Sequence, residues 1–385
     1  MKNDSEKKCI YFDWAASSPA VPAPVDTALL FGNPSSLHSE GRAAKNALEN
    51  ARTRCAAVLK VPPETLYFTS GGTESNSIAL FSNLKRPGKG RVISSLAEHA
   101  SVREAMETLE KMSKPVGCIT VDSAGRVTPA SLEKTLQKYN DVRFTAIMAV
   151  NNETGAVTDI AALTGALRAS SQSSAPIHFH CDLAQAIGKI PVDITGWEID
   201  SASISAHKIN GPRGIGLLYL RKPIEVFYSG HQENGIRGGT ENVAGAVALA
   251  DCLEKYANEQ TVLTEHARAK VRWNKLITSL CANSRFRIIP AERKADDDSF
   301  SPYILQAAFK DIPGEVMARA LDDLGFAVST GSACSSSSPE RPVLVAMGVE
   351  ENLRIEGIRI SQGYTTTDED IDLLLGAIAE VLKFL

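Results

Sequence analysis

The sequence predicts an α/β protein: a large domain built on a mainly parallel sheet sandwiched by helices, plus a smaller α+β domain. Three observations carry this expectation. Residues 40–255 alternate helical patterns with short β-rich runs, which implies a mainly parallel sheet covered on both faces. From about residue 257 the pattern changes to a long polar helix, two strands and a terminal helix. The length, 385 residues with 43% hydrophobic and 22% charged, suffices for two cores but not for a string of domains.

Taken in order, residues 40–59 read as a helix, because Ala43, Ala44, Ala47, Leu48, Ala51, Cys55, Val58 and Leu59 form one apolar stripe. Strands are expected at 66–69, 92–94, 144–150, 177–180, 203–205 and 215–220, most with helical stretches between them. In the second half, strands are expected at 286–289 and 303–309 and a helix at 369–384. There is no internal repeat and no linker rich in Pro, Gly or Ser. In open α/β sheets the ligand lies beyond the carboxyl ends of the strands, so residues just after each strand are the first candidates for function.

A formal charge of −4 and a pI near 6.0 supply no basic surface for nucleic acid. Residues 1–8 are charged, and no stretch approaches the ~20 apolar residues that a membrane span needs. A cytoplasmic protein without a membrane anchor is the expectation. The seven cysteines are odd in number, scattered and never in C-x-x-C spacing, which argues against a disulfide framework or zinc finger. Most read as small buried hydrophobes. Cys334 differs, since its neighbours from Thr330 to Pro339, rich in Ser and Gly, read as an exposed loop.

Three strand ends carry chemistry. Strand 66–69 runs into Ser70-Gly71-Gly72-Thr73-Glu74-Ser75-Asn76, where glycines at a strand-to-helix turn aim backbone N–H groups at an anion such as phosphate; an ordinary capped turn is the competing reading. The second is His178-Phe179-His180-Cys181-Asp182-Leu183-Ala184-Gln185, with His178, His180 and Asp182 on one strand face. That trio reads as a metal triad, as satisfied polar residues, or with Asp182 paired to a heterocyclic nitrogen of the kind pyridoxal enzymes keep protonated. The third and most specific is Ser205-Ala206-His207-Lys208-Ile209-Asn210-Gly211, where a lysine flanked by a hydroxyl and an imidazole precedes an apolar strand and is placed to form a Schiff base.

Together with these motifs, Tyr11-Phe12-Asp13-Trp14-Ala15-Ala16, Gly32-Asn33-Pro34-Ser35-Ser36-Leu37-His38, Glu98-His99, Val150-Asn151-Asn152-Glu153-Thr154-Gly155, Arg237-Gly238-Gly239-Thr240-Glu241-Asn242 and Gly331-Ser332-Ala333-Cys334 occur in one order along the chain. The set resembles the cysteine desulfurases, class V members of the fold type I pyridoxal-phosphate enzymes. The resemblance implies a large cofactor-binding domain at 16–255 and a small domain formed by 1–15 with 256–385. It implies pyridoxal 5′-phosphate held by Lys208, Asp182 at the pyridine nitrogen, His99 stacked on the ring, and Asn152 and Gln185 near the phenolic oxygen. Gly72, Thr73, Ser205 and His207 would hold the phosphate, joined by Thr240 of a second subunit, which makes a homodimer part of the expectation. Arg359 would bind the substrate carboxylate. Lys208 would move the α-proton, His99 the thiol proton, and Cys334 would take sulfur from L-cysteine as a persulfide, leaving alanine for release and sulfur for an acceptor protein, as in iron–sulfur cluster assembly. No metal is implied.

Rival readings are another class V enzyme (a selenocysteine lyase or an aminotransferase), a non-catalytic sulfur-system binding paralogue, and a metal hydrolase built on His178, His180 and Asp182. The chain departs from the family pattern between Pro22 and Gly32, where it is about ten residues shorter, a difference within loop-length tolerance. It also departs at Ser229-Gly230-His231 and in a slightly shorter loop after Cys334.

Overall fold

The computed structural model describes residues 9–20, 31–86, 90–170, 176–227, 230–331 and 341–385. The chain enters through a short strand, β1 (Ile10–Tyr11), and then forms helix α1 (Ser39–Leu59). The His38 side chain caps α1 by accepting from Gly41 N, and Lys60 closes it in the left-handed region at φ 55°. Its buried stripe, Ala44, Leu48, Ala51, Cys55 and Leu59, is the one the apolar spacing predicts.

The large sheet is built from β2 (Leu66–Thr69), β3 (Arg91–Ser95), β4 (Val116–Ile119), β5 (Val142–Met148), β6 (His178–Asp182), β7 (Ser201–Ser205) and β8 (Gly216–Leu220), in the order β2-β8-β7-β6-β5-β3-β4. Pairings from β7 through β6, β5 and β3 to β4 are parallel, while β8 runs antiparallel to both β2 and β7. Two reversals restore the direction, so β2 ends at the same edge as β3, β5, β6 and β7. Helices α2 (Gly72–Phe81), α3 (Ala100–Lys111), α4 (Pro129–Lys138), α5 (Ile160–Ala169) and α6 (Val243–Tyr256) flank it. One face packs Leu48, Cys55, Ile147, Phe179, Ile204 and Leu249 into a core, and the other packs Tyr67, Leu80, Val92, Leu109, Phe144 and Leu218. The residues of β5 and β6 divide between these faces because strand side chains alternate.

After the long α7 (Glu259–Cys281) come β9 (Phe286–Ile289), β10 (Ile304–Phe309), α8 (Gly314–Asp323), β11 (Phe326–Ala327), α9 (Pro342–Ala346), α10 (Glu351–Glu356), β12 (Gly357–Ser361) and α11 (Asp368–Phe384). Strands β12-β10-β9 form an antiparallel sheet, and β1 pairs with β11. Their core gathers Trp273, Leu276, Phe309, Leu321, Ile358 and Leu374, and takes in Phe12 from the far end of the chain.

The small domain adds α8, β11, α9, α10 and β12 to the elements expected there, and the strand expected at 144–150 spans Val142–Met148. Strand β4 was not anticipated: its Val116-Gly117-Cys118-Ile119 has weak β character, and as an edge strand it is held by the ladder it makes with β3. The strand expected to stop at residue 180 runs on, so Asp182 belongs to β6 and pairs across to Ser203.

At the β2 edge a buried ion pair fastens three segments. Glu233 receives two bonds from Arg52 of α1, at 2.8 Å each, and one from Phe68 N of β2 at 2.7 Å. Its side chain is 1% exposed, and Arg52 also reaches Leu66 O at 2.7 Å. We predict that Glu233→Ala, which leaves the Arg52 guanidinium only the exposed Glu49 as an ionic partner, lowers unfolding free energy by about 3–5 kcal/mol. Urea titration should show a lower midpoint at an unchanged slope. A loss under about 1 kcal/mol would mean that this pair does not hold the edge.

Candidate active site

The sheet edge where β2, β3, β5, β6 and β7 end opens into a cavity, and most of the residues singled out from the sequence line it. At the end of β7, Ala206–Lys208 forms a single 3-10 turn that turns Lys208 off the strand. Lys208 Nζ donates to Ala15 O at 2.6 Å and Ala16 O at 2.8 Å, two carbonyls of the segment that follows β1. Beside it, burial and then the charges of Lys208 and Arg213 push the His207 imidazole down to about 4. His207 is therefore neutral near pH 7 and has one ring N–H to offer.

From β6, Asp182 faces the cavity and is buried. Its Oδ1 accepts from Ala184 N at 2.9 Å and its Oδ2 from Asn76 Nδ2 at 2.8 Å. Gln185 follows one turn later; its Nε2 donates to Ala15 O at 2.8 Å and its Oε1 accepts from Lys189 Nζ. Lys189, unlike the half-buried Lys208, is buried, and it is pushed down to about 7 by burial and then by the nearby charges of Lys208 and Arg359. It is not among the cavity-lining residues.

His99 caps α3 just beyond β3 and lines the cavity. Its Nδ1 meets Ser101 Oγ at 2.9 Å and accepts from Ser101 N at 3.2 Å. Ser101 Oγ accepts from Asn76 Nδ2, so its own proton goes to His99 Nδ1 and the imidazole proton sits on Nε2. Burial lowers the His99 pKa below its ordinary value, against the pull of Asp182. Preceding it, Glu98 is buried and pushed up to about 8 by burial, with a further rise from Asp182. It is a neutral acid near pH 7.

Where β2 ends, Gly71 sits at φ 150°, a conformation that side chains rarely adopt, and α2 starts at Gly72. The open first-turn N–H groups of a ten-residue helix, with Thr73, Ser205 and His207 beside them in the cavity lining, form an anion cup. Asn152 lines the same cavity, and its Oδ1 is buried without a hydrogen-bond partner among the described residues.

Arg359 comes from β12 of the other sheet and is 1% exposed. Its Nη2 bonds Asp13 Oδ1 at 2.8 Å and its Nη1 donates to Asn152 O at 2.9 Å. The sequence reading missed Asp13, Asn76, Ser101 and Lys189 as partners of site residues. Asp13 and Asn76 stood inside quoted motifs without a role, and their partners lie 346 and 106 residues away. Thr240, expected at the phosphate site of a neighbouring subunit, is exposed and does not line its own chain's cavity, and Cys334 lies outside the described residues.

The donor set fits pyridoxal phosphate. It combines an anion cup for phosphate, a carboxylate for the ring nitrogen, an amine for the aldehyde, and two amides, one with an orphaned oxygen, for the phenolic side. Among the described residues no cluster of His, Cys, Asp or Glu is arranged to hold a metal ion.

Comparison with known proteins agrees. Residues 10–374 match the family described as Aminotransferase class-V. The cysteine desulfurase IscS of Dictyoglomus turgidum is 35% identical over 390 residues, covering 98% of this chain and 95% of that protein. The mitochondrial cysteine desulfurase of Saccharomyces cerevisiae is 34% identical over 98% of this chain and 75% of that protein. Among solved structures, a NifS-like protein superposes with a TM-score of 0.85 at 32% identity, covering 98% of this chain and 100% of that one. A structure described as SspA in complex with cysteine gives a TM-score of 0.76 at 28% identity over 91% of this chain and 98% of that one. With a lysine, a carboxylate and an anion cup gathered at one edge of its sheet, this chain belongs to the class-V aminotransferases, in their pyridoxal-phosphate-dependent cysteine desulfurase branch.

Proposed function

We propose that this chain removes sulfur from L-cysteine, leaving the sulfur as a persulfide on Cys334 and releasing alanine. The observation that carries the reading is the meeting, in one cavity, of Lys208, Asp182 and His99 from the large sheet with Arg359 from the small one. The relatives named cysteine desulfurase and the cysteine-bound neighbour support cysteine as the substrate.

Roles follow from chemistry. Arg359 binds the substrate carboxylate through its guanidinium fork, with Asp13 and Asn152 O holding its orientation. Pyridoxal phosphate, held by Lys208, Asp182, Gln185, Asn152 and the Gly72–Thr73 cup, supplies an electron sink. Lys208 Nζ takes the α-proton, and His99 is assigned the thiol proton, which it takes up at Nε2 once that nitrogen has given up the proton it carries. Cys334, as thiolate, bonds to the substrate sulfur while the C–S bond breaks; the carbon then gains a proton and leaves as alanine.

The flanks of the Cys334 segment support its role. Ser329 pairs with Arg359, through Arg359 N to Ser329 O at 2.6 Å and Ser329 N to Arg359 O at 3.1 Å. On the far side, Arg341 donates to Thr330 O and to Gly357 O. The chain thus departs toward Cys334 and returns from it beside the residue assigned to the substrate.

The proposal extends to a homodimer in which Thr240 of a second copy completes the phosphate cup, and to a protein acceptor for the sulfur. It also divides the labour between 16–255, which binds the cofactor, and 1–15 with 256–385, which bring Arg359 and Cys334. No helix among the described residues is long and apolar enough to cross a membrane. A cytoplasmic setting, where thiols stay reduced, suits a catalytic cysteine.

Two predictions test this. Cys334→Ala should keep the visible absorption of the lysine-bound cofactor yet release no sulfide from cysteine under reducing conditions; undiminished release sinks the assignment. Lys208→Ala, mixed with pyridoxal phosphate, should lack that absorption and form no alanine. A normal band in Lys208→Ala would move the covalent attachment elsewhere, with Lys189 next in line.

A further inference from the structure

Histidines 178 and 180 share a strand face with Asp182 but do not line the cavity. They belong instead to a hydrogen-bonded line that ends at the Asp182 carboxylate. Arg86 Nη2 meets His178 Nδ1 at 3.2 Å, and His178 Nε2 meets Ser201 Oγ at 2.7 Å. Ser201 Oγ meets His180 Nδ1 at 2.8 Å, and His180 Nε2 meets Asn76 Oδ1 at 2.9 Å. Asn76 Nδ2 then donates to Asp182 Oδ2 at 2.8 Å.

The two ends dictate the direction of every bond between them. A guanidinium has only donors, so His178 Nδ1 accepts. A carboxylate facing the amide takes an N–H, so the Asn76 oxygen is left to accept from His180. His180 is fully buried and His178 half-buried, and loss of solvent lowers the pKa of both, well below the ordinary value for His178 and to about 4 for His180. Arg86, Arg168 and Arg221 near His178 push the same way, and the opposing pull of Asp182 on His180 is the smaller effect. Each ring is therefore neutral with a single proton, on Nε2 in both cases. The Ser201 hydroxyl accepts from His178 and donates to His180. All five bonds point toward Asp182.

Phe144 holds the geometry. Its ring stacks on His178 at 4.7 Å and 7° and lies against His180 at 6.2 Å, with the Arg86 guanidinium over it at 5.6 Å. Asn76 is also a branch point. Its second N–H goes to Ser101 Oγ, whose proton settles the His99 tautomer.

We infer that Arg86, His178, Ser201, His180 and Asn76 are positioning residues forming a one-way donor line, which sets the electron-withdrawing power of the cofactor through Asp182. The inference rests on the assignment of Asp182 to the cofactor's ring nitrogen. Aligned bonds polarise one another, and bonds donated to a carboxylate stabilise its charge. A proton shared between Asp182 and the ring nitrogen then rests on the nitrogen. Cutting the line moves that proton toward Asp182, leaves the ring less positive, and makes the lysine-bound imine nitrogen hold its own proton to higher pH.

The experiment has two parts. In the protein without cofactor, nitrogen-15 NMR of histidine should find His178 and His180 neutral with the proton on Nε2 from pH 6 to 9; an Nδ1–H tautomer at either overturns the direction. In protein reconstituted with pyridoxal phosphate, the pH midpoint of the visible band is compared among variants. His178→Phe keeps the stack but cuts the line and should raise the midpoint by about half a pH unit or more. Arg86→Met should shift it the same way. His178→Gln, which still accepts from Arg86 and donates to Ser201, should stay within about 0.2 units of the parent. Equal midpoints in the parent and His178→Phe overturn the line while leaving the cofactor assignment intact. A parent chain that develops no visible band removes the cofactor assignment and the inference together.

Discussion

The candidate site depends on one strap of backbone, residues 12–18, which ties the two cores to each other across the cavity. Phe12 is packed in the smaller core, and its carbonyl accepts from Ser361 N at 2.7 Å. Three residues on, Ala15 N donates to Ser361 Oγ at 2.9 Å while Ala15 O receives both Lys208 and Gln185. Ser18 then locks onto the turn after β7: its N–H donates to His207 O at 2.8 Å and its Oγ accepts from Asn210 N at 2.7 Å. Asp13 adds the ion pair to Arg359. The lysine and the arginine are therefore set by the same few residues, and the strap cannot shift at one without moving the other. Gly363 shows how tightly it is seated: a Cβ there would lie 1.9 Å from the Trp14 ring.

Around this strap, burial has a consistent electrostatic effect. It pushes Glu98 up and His99, His207 and Lys189 down, which favours the uncharged form in every case. Strong charges in such a place are tolerated where they are paired, as Arg359 is with Asp13. Neutral imidazoles with assigned tautomers are better suited to directing hydrogen bonds than to carrying charge. That is the shared logic of His99, pinned by Ser101, and of His178 and His180, pinned by Ser201 and Asn76.

The same arrangement answers the metal-triad reading of His178, His180 and Asp182. Strand alternation does put them on one face, but both nitrogens of His180 are already engaged, by Ser201 and by Asn76. Phe144 covers both rings from the neighbouring strand. Facing one side of a sheet is a property of the strand, whereas sharing a ligand requires open lone pairs, and these rings have none to spare.

Local chemistry alone determined much of this protein. The apolar stripe of α1, the runs of β-branched and aromatic residues in β2 and β5, the leucine-rich run of β8, and the glycines, carboxylate and lysine at strand ends are patterns within a few residues, each with a direct physical meaning. Those patterns announced a sheet with chemistry at its edge. The assignments of Cys334 and Thr240 rested on motif resemblance. Tertiary structure decided the rest: the weak edge strand β4, the reversed strand β8 that brings β2 round to the working edge, and the strap that joins Lys208 to Arg359. It also decided that Asn76 serves Asp182 and His99 at once. These depend on contacts between residues far apart in the chain, and a hydrogen bond has no periodicity to betray its partner before the fold brings the two together.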